Sequence, residues 1–263
     1  LAKLADRRVG WVDEAGQANI SISSGLVVLR EPVLTSTSHG EIDHWTRTML
    51  SAAEAILAGT PPTVEAVEAA TGMSRGAAAN AMARFEKRGR LTRPGPKRGR
   101  GVARQIVDVD AFIDDYADAA KGFRAQQKRM RLHRLMADPV NIAKMDIGPN
   151  LNAVGATWAV TGTAASTLLA PYLTDVAVLE VYVDAAHFNK DLADVLDARE
   201  VPRGHLIEVR ELPTPMSAKG PCIDGVQLAL PARVYADLVA AGGRYEEAAH
   251  HLREVRNVGP RSE

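Results

Sequence analysis

The sequence holds one cysteine, Cys222, in 263 residues. That excludes an internal disulfide and a cysteine-rich zinc site, and it fits a reducing cytoplasm. Long apolar runs are missing too: nothing approaches the roughly 18 apolar residues a membrane span requires. No secretory signal is visible, so the expected location is cytoplasmic, with no membrane partner. The chain opens on Leu1 rather than Met, and a preceding N-terminal piece is expected. Catalytic fingerprints are also absent: there is no G-x-S-x-G, Walker loop or dinucleotide-binding glycine pattern. His250 and His251 are adjacent and diverge on a helix, and His39 and His44 flank Gly40, so neither pair has chelating spacing. Nothing brings Cys222 and His205 together as nucleophile and base. Cys222 reads instead as a buried structural residue. The expectation is a non-enzyme with no catalytic residue, metal or cofactor.

Net charge is lacking as well, with 32 Lys/Arg against 32 Asp/Glu, but the balance conceals a segregation. Arg75 to Arg134 carries 16 basic and 6 acidic residues, a net of +10, which leaves 16 against 26, a net of −10, elsewhere. Such asymmetry on one segment points to a polyanionic partner, the competing reading being a solvated helix face beside a soluble loop. The 46% hydrophobic content suffices for a packed core and two domains.

Local patterns divide the chain. Apolar stretches at Val9–Val12, Ala18–Ile22 and Leu26–Leu29, separated by turn residues, predict a short β segment over 1–34, read as the remnant of a larger N-terminal domain. Trp45 to Ala58 predicts a helix, with Trp45, Met49, Ala52, Ala53, Ile56 and Leu57 on one face. Thr63 caps a second helix to Ala70, and Ser74 a third to Arg88, with Gly89 just past its end. Strands at Leu91–Arg93 and Val102–Val109 flank the loop Pro94–Gly101. One continuous helix is predicted over 110–136, closed by Asp138-Pro139. Its Asp114, Asp115 and Asp118 read as a solvated acidic face. From 140 to 257, strand-like runs at Thr157–Val160, Leu179–Val183, Leu206–Glu211 and Cys222–Leu230 alternate with helical runs at Gly162–Ala170, Phe188–Ala198, Pro231–Ala241 and Tyr245–Val255. That alternation predicts an α/β domain with a mixed sheet.

Three helices followed by a two-stranded ribbon is the order of a winged helix-turn-helix, expected over 41–110, with 111–138 a connecting helix. On a helical wheel Ala78, Ala81, Met82 and Phe85 of the third helix face inward. The opposite side carries Gly76, Asn80, Ala83, Arg84 and Lys87, small or hydrogen-bonding, as a helix in a major groove requires. Ser74 and Arg75 stand at its N-terminus, where free N–H groups favour a phosphate. Arg93, Lys97, Arg98, Arg100 and Arg104 project from a proline- and glycine-broken ribbon suited to phosphates or a minor groove. The predicted site residues are thus Ser74, Arg75, Asn80, Arg84, Lys87, Arg93, Lys97, Arg98, Arg100 and Arg104, and the predicted partner is double-stranded DNA.

In the C-terminal part, "TWAVTGTAASTLLAPYLTDVAVLEVYVD" (157–184) and "CIDGVQLALPARVYADLVAAGGRYEEAAHHLRE" (222–254) resemble the AbiEi-type antitoxins of type IV toxin–antitoxin systems. The second is the more specific, with Tyr235 and Asp237 on a proline-initiated helix before Gly242-Gly243-Arg244. The resemblance spans about 60–257. It implies a repressor of its own operon, acting at a promoter or operator, whose neighbouring gene encodes a nucleotidyltransferase-like toxin. Nucleotidyl transfer by this chain itself would need paired carboxylates for Mg²⁺. Glu180, Tyr182 and Asp184 alternate on one strand, and the middle member supplies none. The overall expectation is an α+β chain: a winged helix-turn-helix, then a mixed α/β domain. It is expected to act as a sequence-specific transcriptional regulator, with either a homodimer or two sites per promoter supplying the specificity that one unit lacks. The alternative is an interaction module whose α/β domain binds a toxin, with DNA contact secondary.

Overall fold

Three hydroxyl side chains start the first three helices among the described residues. Thr46 Oγ1 accepts from Met49 N–H at 3.3 Å and opens α1 (Arg47–Leu57). Thr63 does the same for α2 (Val64–Thr71), and Ser74, 3.3 Å from Ala77 N, for α3 (Arg75–Lys87). Each satisfies an N–H that a helix leaves without a partner. The computed structural model describes residues 11–12, 18–21, 27–30, 44–94, 104–135, 138–173, 176–256 and 258–260. It divides into two units, Leu1–His44 and Trp45–Glu263. In the first, β1 (Trp11–Val12), β2 (Ala18–Ser21) and β3 (Val27–Arg30) form an antiparallel sheet in chain order.

In the second unit α1 is buried almost all round, from Met49 to Leu57, with α2 and α3 packed on it. After α3, Gly89 turns the chain at φ +68°, a conformation free of strain only for glycine. β4 (Leu91–Thr92) and β5 (Gln105–Ile106) then pair antiparallel. The second strand is shorter than its sequence suggests. Asp108 accepts from Ala111 N–H at 3.0 Å and starts α4 (Val109–Gln126).

Helix α4 also stops ten residues short of the predicted 136, and Arg129–His133 is a strand, β6. Met130 and Leu132 alternate there with Arg129, Arg131 and His133. A period of two gives the segment one apolar face only as a strand. Asp138-Pro139 opens a helix rather than closing one. Asp138 caps Val140 N–H (2.9 Å) and Asn141 N–H (3.3 Å), and proline at the first helical position has no N–H to lose. The helical run is α5 (Pro139–Ile142), a π-helical turn (Ala143–Ile147) and α6 (Gly148–Ala153).

The remaining elements are β7 (Trp158–Thr161), α7 (Gly162–Leu169), β8 (Leu179–Val183), α8 (Leu192–Val195), β9 (Arg199–Glu200), β10 (Ile207–Glu211), a 3₁₀ turn (Pro215–Ala218), β11 (Cys222–Ile223), β12 (Val226–Gln227), α9 (Pro231–Ala241) and α10 (Arg244–Val255). The run read as one strand from Cys222 to Leu230 is a hairpin. Asp224 (φ +50°) and Gly225 (φ +83°) turn it, the aspartate–glycine pair typical of two-residue hairpin loops. Cys222, expected inside, is exposed on that hairpin. The helix expected over 188–198 contracts to α8.

Five strands form a mixed sheet, in the order β7-β8-β10-β6-β9, parallel only between β8 and β10. Register assigns its two faces. One carries Trp158, Val160, Leu179, Val181, Val183, Ile207, Val209 and Leu132, all buried. The other carries, row by row, Ala159–Tyr182–Arg210–Arg129 and Thr161–Glu180–Glu208–Arg131. This polar face is linked to α4 and α9. Helix α9 is apolar nearly all round and buried, packed by α4, α10 and α7, yet it carries Arg233 and Asp237.

Those two charges organise a closed layer. Arg233 Nη2 lies 2.8 Å from Asp237 Oδ1, one helical turn away, with neither side chain exposed. Asp237 also accepts from Thr161 Oγ1 (2.6 Å) and Tyr182 Oη (2.8 Å), and Arg124 Nη1 approaches it at 3.1 Å. Arg124 in turn pairs with Glu180. Nearby, Glu54 of α1 accepts from Tyr116 Oη (2.6 Å) and Ser217 Oγ (2.7 Å), and also from Thr214. Burial raises the Glu54 acid above its ordinary value, despite Arg233 and the three hydroxyl donors. For Asp237 the balance reverses. Burial alone would raise it, but Arg233 and Arg124 hold it down at about 2.

A depressed carboxylate stabilises the fold above its unfolded value and loses that contribution as pH falls through its folded value. Asp237→Asn is therefore expected to cost about 3 kcal/mol at neutral pH. The difference from the parent protein should shrink as pH falls from about 4 towards 2. Urea unfolding across pH measures it, and a pH-independent difference would refute this assignment.

Candidate nucleic-acid interface

Helix α3 presents two unlike sides. Ala78, Ala81, Met82 and Phe85 are buried, and Phe85 meets Trp45 and Phe112 with ring centroids 5.4 and 5.1 Å apart. Arg75, Gly76, Asn80, Ala83 and Lys87 are exposed. The inward set is the one the wheel gives, because an apolar stripe at helical spacing has only one way to reach the core. Arg84 departs from the outward set. It is half-buried, with Nη1 3.7 Å from Met49 Sδ of α1. Ser74 serves as the helix cap, and Arg75 makes a loose, exposed pair with Glu68 at 3.7 Å.

The ribbon is fastened by a residue that sequence reasoning passed over. Glu86, on α3, accepts from Arg93 Nε at 2.7 Å and from Arg104 Nε. Arg93 follows β4 and Arg104 precedes β5, so one carboxylate ties both roots of the ribbon to the helix. Burial opposes the charge on Glu86, but the two arginines prevail and hold its acid below the ordinary range. Arg104 is buried against this carboxylate, with a side chain only 6% exposed, which suits fixing the ribbon better than reaching a ligand. Lys97, Arg98 and Arg100 lie outside the described residues.

A second acid anchors the end of α3. Asp115 of α4, read from sequence as part of a solvated face, is 16% exposed and pairs with Arg88 (3.2 Å) and Arg90 (3.1 Å). Arg88 also lies 5.6 Å from the ring centre of Trp45. Asp114 instead faces α10, 2.8 Å from Arg253 Nη1. Much of the basic segment is thus neutralised internally. Asn80 and Lys87 are exposed polar side chains of α3 with no partner among the described residues.

The carboxylates that could suggest metal-assisted transfer are committed elsewhere. Glu180 binds Arg124, and Asp184 accepts from Thr157 N–H (2.6 Å) and lies 2.9 Å from His187 Nδ1. Among the described residues no helix is long and apolar enough to cross a membrane.

These features define a mixed α+β protein with an exposed helix face and a fastened ribbon on one side and a five-stranded sheet behind. Residues 105–256 match the AbiEi_2 family, described as "Transcriptional regulator, AbiEi antitoxin, Type IV TA system". The chain belongs to this antitoxin family of type IV toxin–antitoxin systems, a regulatory family. The match opens at β5, so α1, α2 and α3 precede it. No curated protein and no solved structure gave a significant match.

The Glu86 clamp has a local readout. Glu86→Gln is expected to lower stability by about 1 kcal/mol, since the groups are partly solvated. It should also speed amide exchange at Leu91, Thr92, Gln105 and Ile106 more than on α9. Unchanged exchange in the ribbon would show that Glu86 does not hold it.

Proposed function

We propose that the chain is a DNA-binding transcriptional regulator, an antitoxin that represses its own operon. In this reading α1, α2, α3 and the β4–β5 ribbon act as a winged helix-turn-helix, over about 41–110, and the sheet-bearing part follows. The two-sided α3 carries the proposal. Its bulky apolar residues are buried, and what it offers outward is Asn80, Lys87, Arg75 and two residues without bulk, Gly76 and Ala83. A helix in a major groove needs such a face, because close approach to base edges tolerates no large apolar side chain. Asn80 is the candidate base reader. Ser74 and Arg75, at the helix N-terminus, are placed for phosphate. Arg84, half-buried against α1, would have to swing outward to read a base. The Lys97, Arg98 and Arg100 loop supplies backbone contacts from ribbon roots held by Arg93 and Arg104. One such unit reads few base pairs, so a homodimer on paired half-sites is the proposed binding form. The proposed toxin partner is the nucleotidyltransferase-like product of the neighbouring gene.

The experiment is titration of the purified chain with its upstream duplex and a scrambled duplex across a salt series. Expected is a preference of at least about 100-fold, with log K against log salt steeper than about −4. Absence of binding at low salt would overturn the DNA reading and favour a protein-interaction role.

Substitutions separate the contacts. Asn80→Ala is expected to relax sequence choice by about 1–3 kcal/mol. Lys97→Ala or Arg98→Ala should weaken all sequences alike and flatten the salt slope by about one unit each. An unchanged slope would place the loop off the DNA.

A further inference from the structure

Away from α3, a cleft of about 340 Å³ opens where the C-terminal ends of α4 and α9 meet the polar face of the sheet. Its lining is Lys121, Arg124, Ala125, Gln127, Arg129, Arg210 and Ala240, four cations without a carboxylate. Lys121, Arg124 and Ala125 share one face of α4 by their three- and four-residue spacing. The alanines leave the space open.

The cations are not equally occupied. Arg124 is held by Glu180 and Asp237, and Arg210 by Glu208 at 2.5 Å and the Arg124 carbonyl at 3.2 Å. Lys121 and Arg129 are exposed and have no partner among the described residues. Arg129 stands directly opposite Arg210 in the antiparallel β6–β10 register. Like charges in that position repel, unless an anion lies between them. Arg210 Nε and Gln127 Oε1 are buried and make no hydrogen bond, although Gln127 Nε2 donates to the Glu211 carbonyl at 2.9 Å. Both atoms are closed to solvent, so the donors open to the cleft are those of Lys121 and Arg129, whose charge suits an oxyanion.

We propose that this cleft binds the phosphate group of a small phosphorylated ligand, with the exposed, unpartnered Lys121 and Arg129 as its donors. The volume lies at the lower end of small-molecule sites, enough for a phosphate with a modest organic body. The concavity of the cleft favours a free phosphate compound over a duplex backbone. Its residues on α4, Lys121, Arg124 and Ala125, lie beyond Asp115 towards the C-terminal end, about 9–15 Å along the helix from the anchor of α3. The site does not depend on the DNA reading.

The probe is inorganic pyrophosphate, titrated calorimetrically into the full chain at low salt, with phosphate as the weaker comparison. Saturable binding is expected. Arg129→Ala and Lys121→Ala should each weaken it about tenfold, as loss of a charge-assisted contact does. Both side chains are exposed and unpaired, so the fold should survive, and unchanged unfolding midpoints check this. Lys190→Ala, an exposed lysine outside the cleft, should change nothing. Absence of saturable binding, or binding indifferent to Arg129 and Lys121, overturns the proposal. So does a result in which these substitutions weaken only duplex DNA, which would make the cleft a backbone contact.

Discussion

A fully buried arginine at the centre of an alanine-rich helix is the constraint to which the rest of this fold answers. Arg233 cannot be left alone away from water, because the cost of an unpaired buried charge exceeds the whole stability of a typical domain. Its needs draw in neighbours from every direction. Asp237 comes from the next turn of α9, Tyr182 from β8, and Thr161 and Arg124 join through Asp237. Glu54 and Tyr116 form a companion cluster close enough for Glu54 to feel the arginine's charge. An apolar α9 could slide or rotate against the sheet at little cost. This one has a single register in which the charges are satisfied.

The same arrangement explains an unusual sheet. Its strands are apolar on one side and ionic on the other, and both sides lie within the protein. Glu180 and Glu208 stand next to each other across the parallel pair, tolerable because Arg124 and Arg210 reach in from either side. The polarity of these strands therefore reflects a partner layer of charged helices and not solvent.

Much of the framework was legible because local rules decided it. The caps Thr63 and Ser74, the inward stripe of α3, the glycine after it and the main strands of the sheet follow from periodicity and turn chemistry alone. The misreadings occur where tertiary contacts overrode a local pattern. Residues 129–133 are rich in helix formers but go to the sheet, since Leu132 has a partner strand far along the chain. The basic tally from Arg75 to Arg134 overstated the free charge. Glu86 takes up Arg93 and Arg104, Asp115 takes Arg88 and Arg90, and Glu180 and Asp237 take Arg124. Only the first of these acids is near its partners in sequence. One signal was available: Arg233 and Asp237 stand at i and i+4 in a helix otherwise apolar all round, which marks a buried ion pair.

Helix α4 has a consequence for how the molecule can be handled. Phe112 and Tyr116 fill the space beneath Phe85 and Trp45, while Arg124, two turns further on, belongs to the sheet's ionic layer. One rod is thus a shared wall between the part that carries α3 and the part that carries the sheet. A shortened protein starting at Gln105, where the family match begins, would keep the rod and lose what covers it, laying bare two aromatic rings and the uncompensated Asp115. Dissection at that boundary would yield a sticky fragment whose behaviour reports on the cut. Point substitutions on the intact chain are the cleaner way to divide the labour between its two ends.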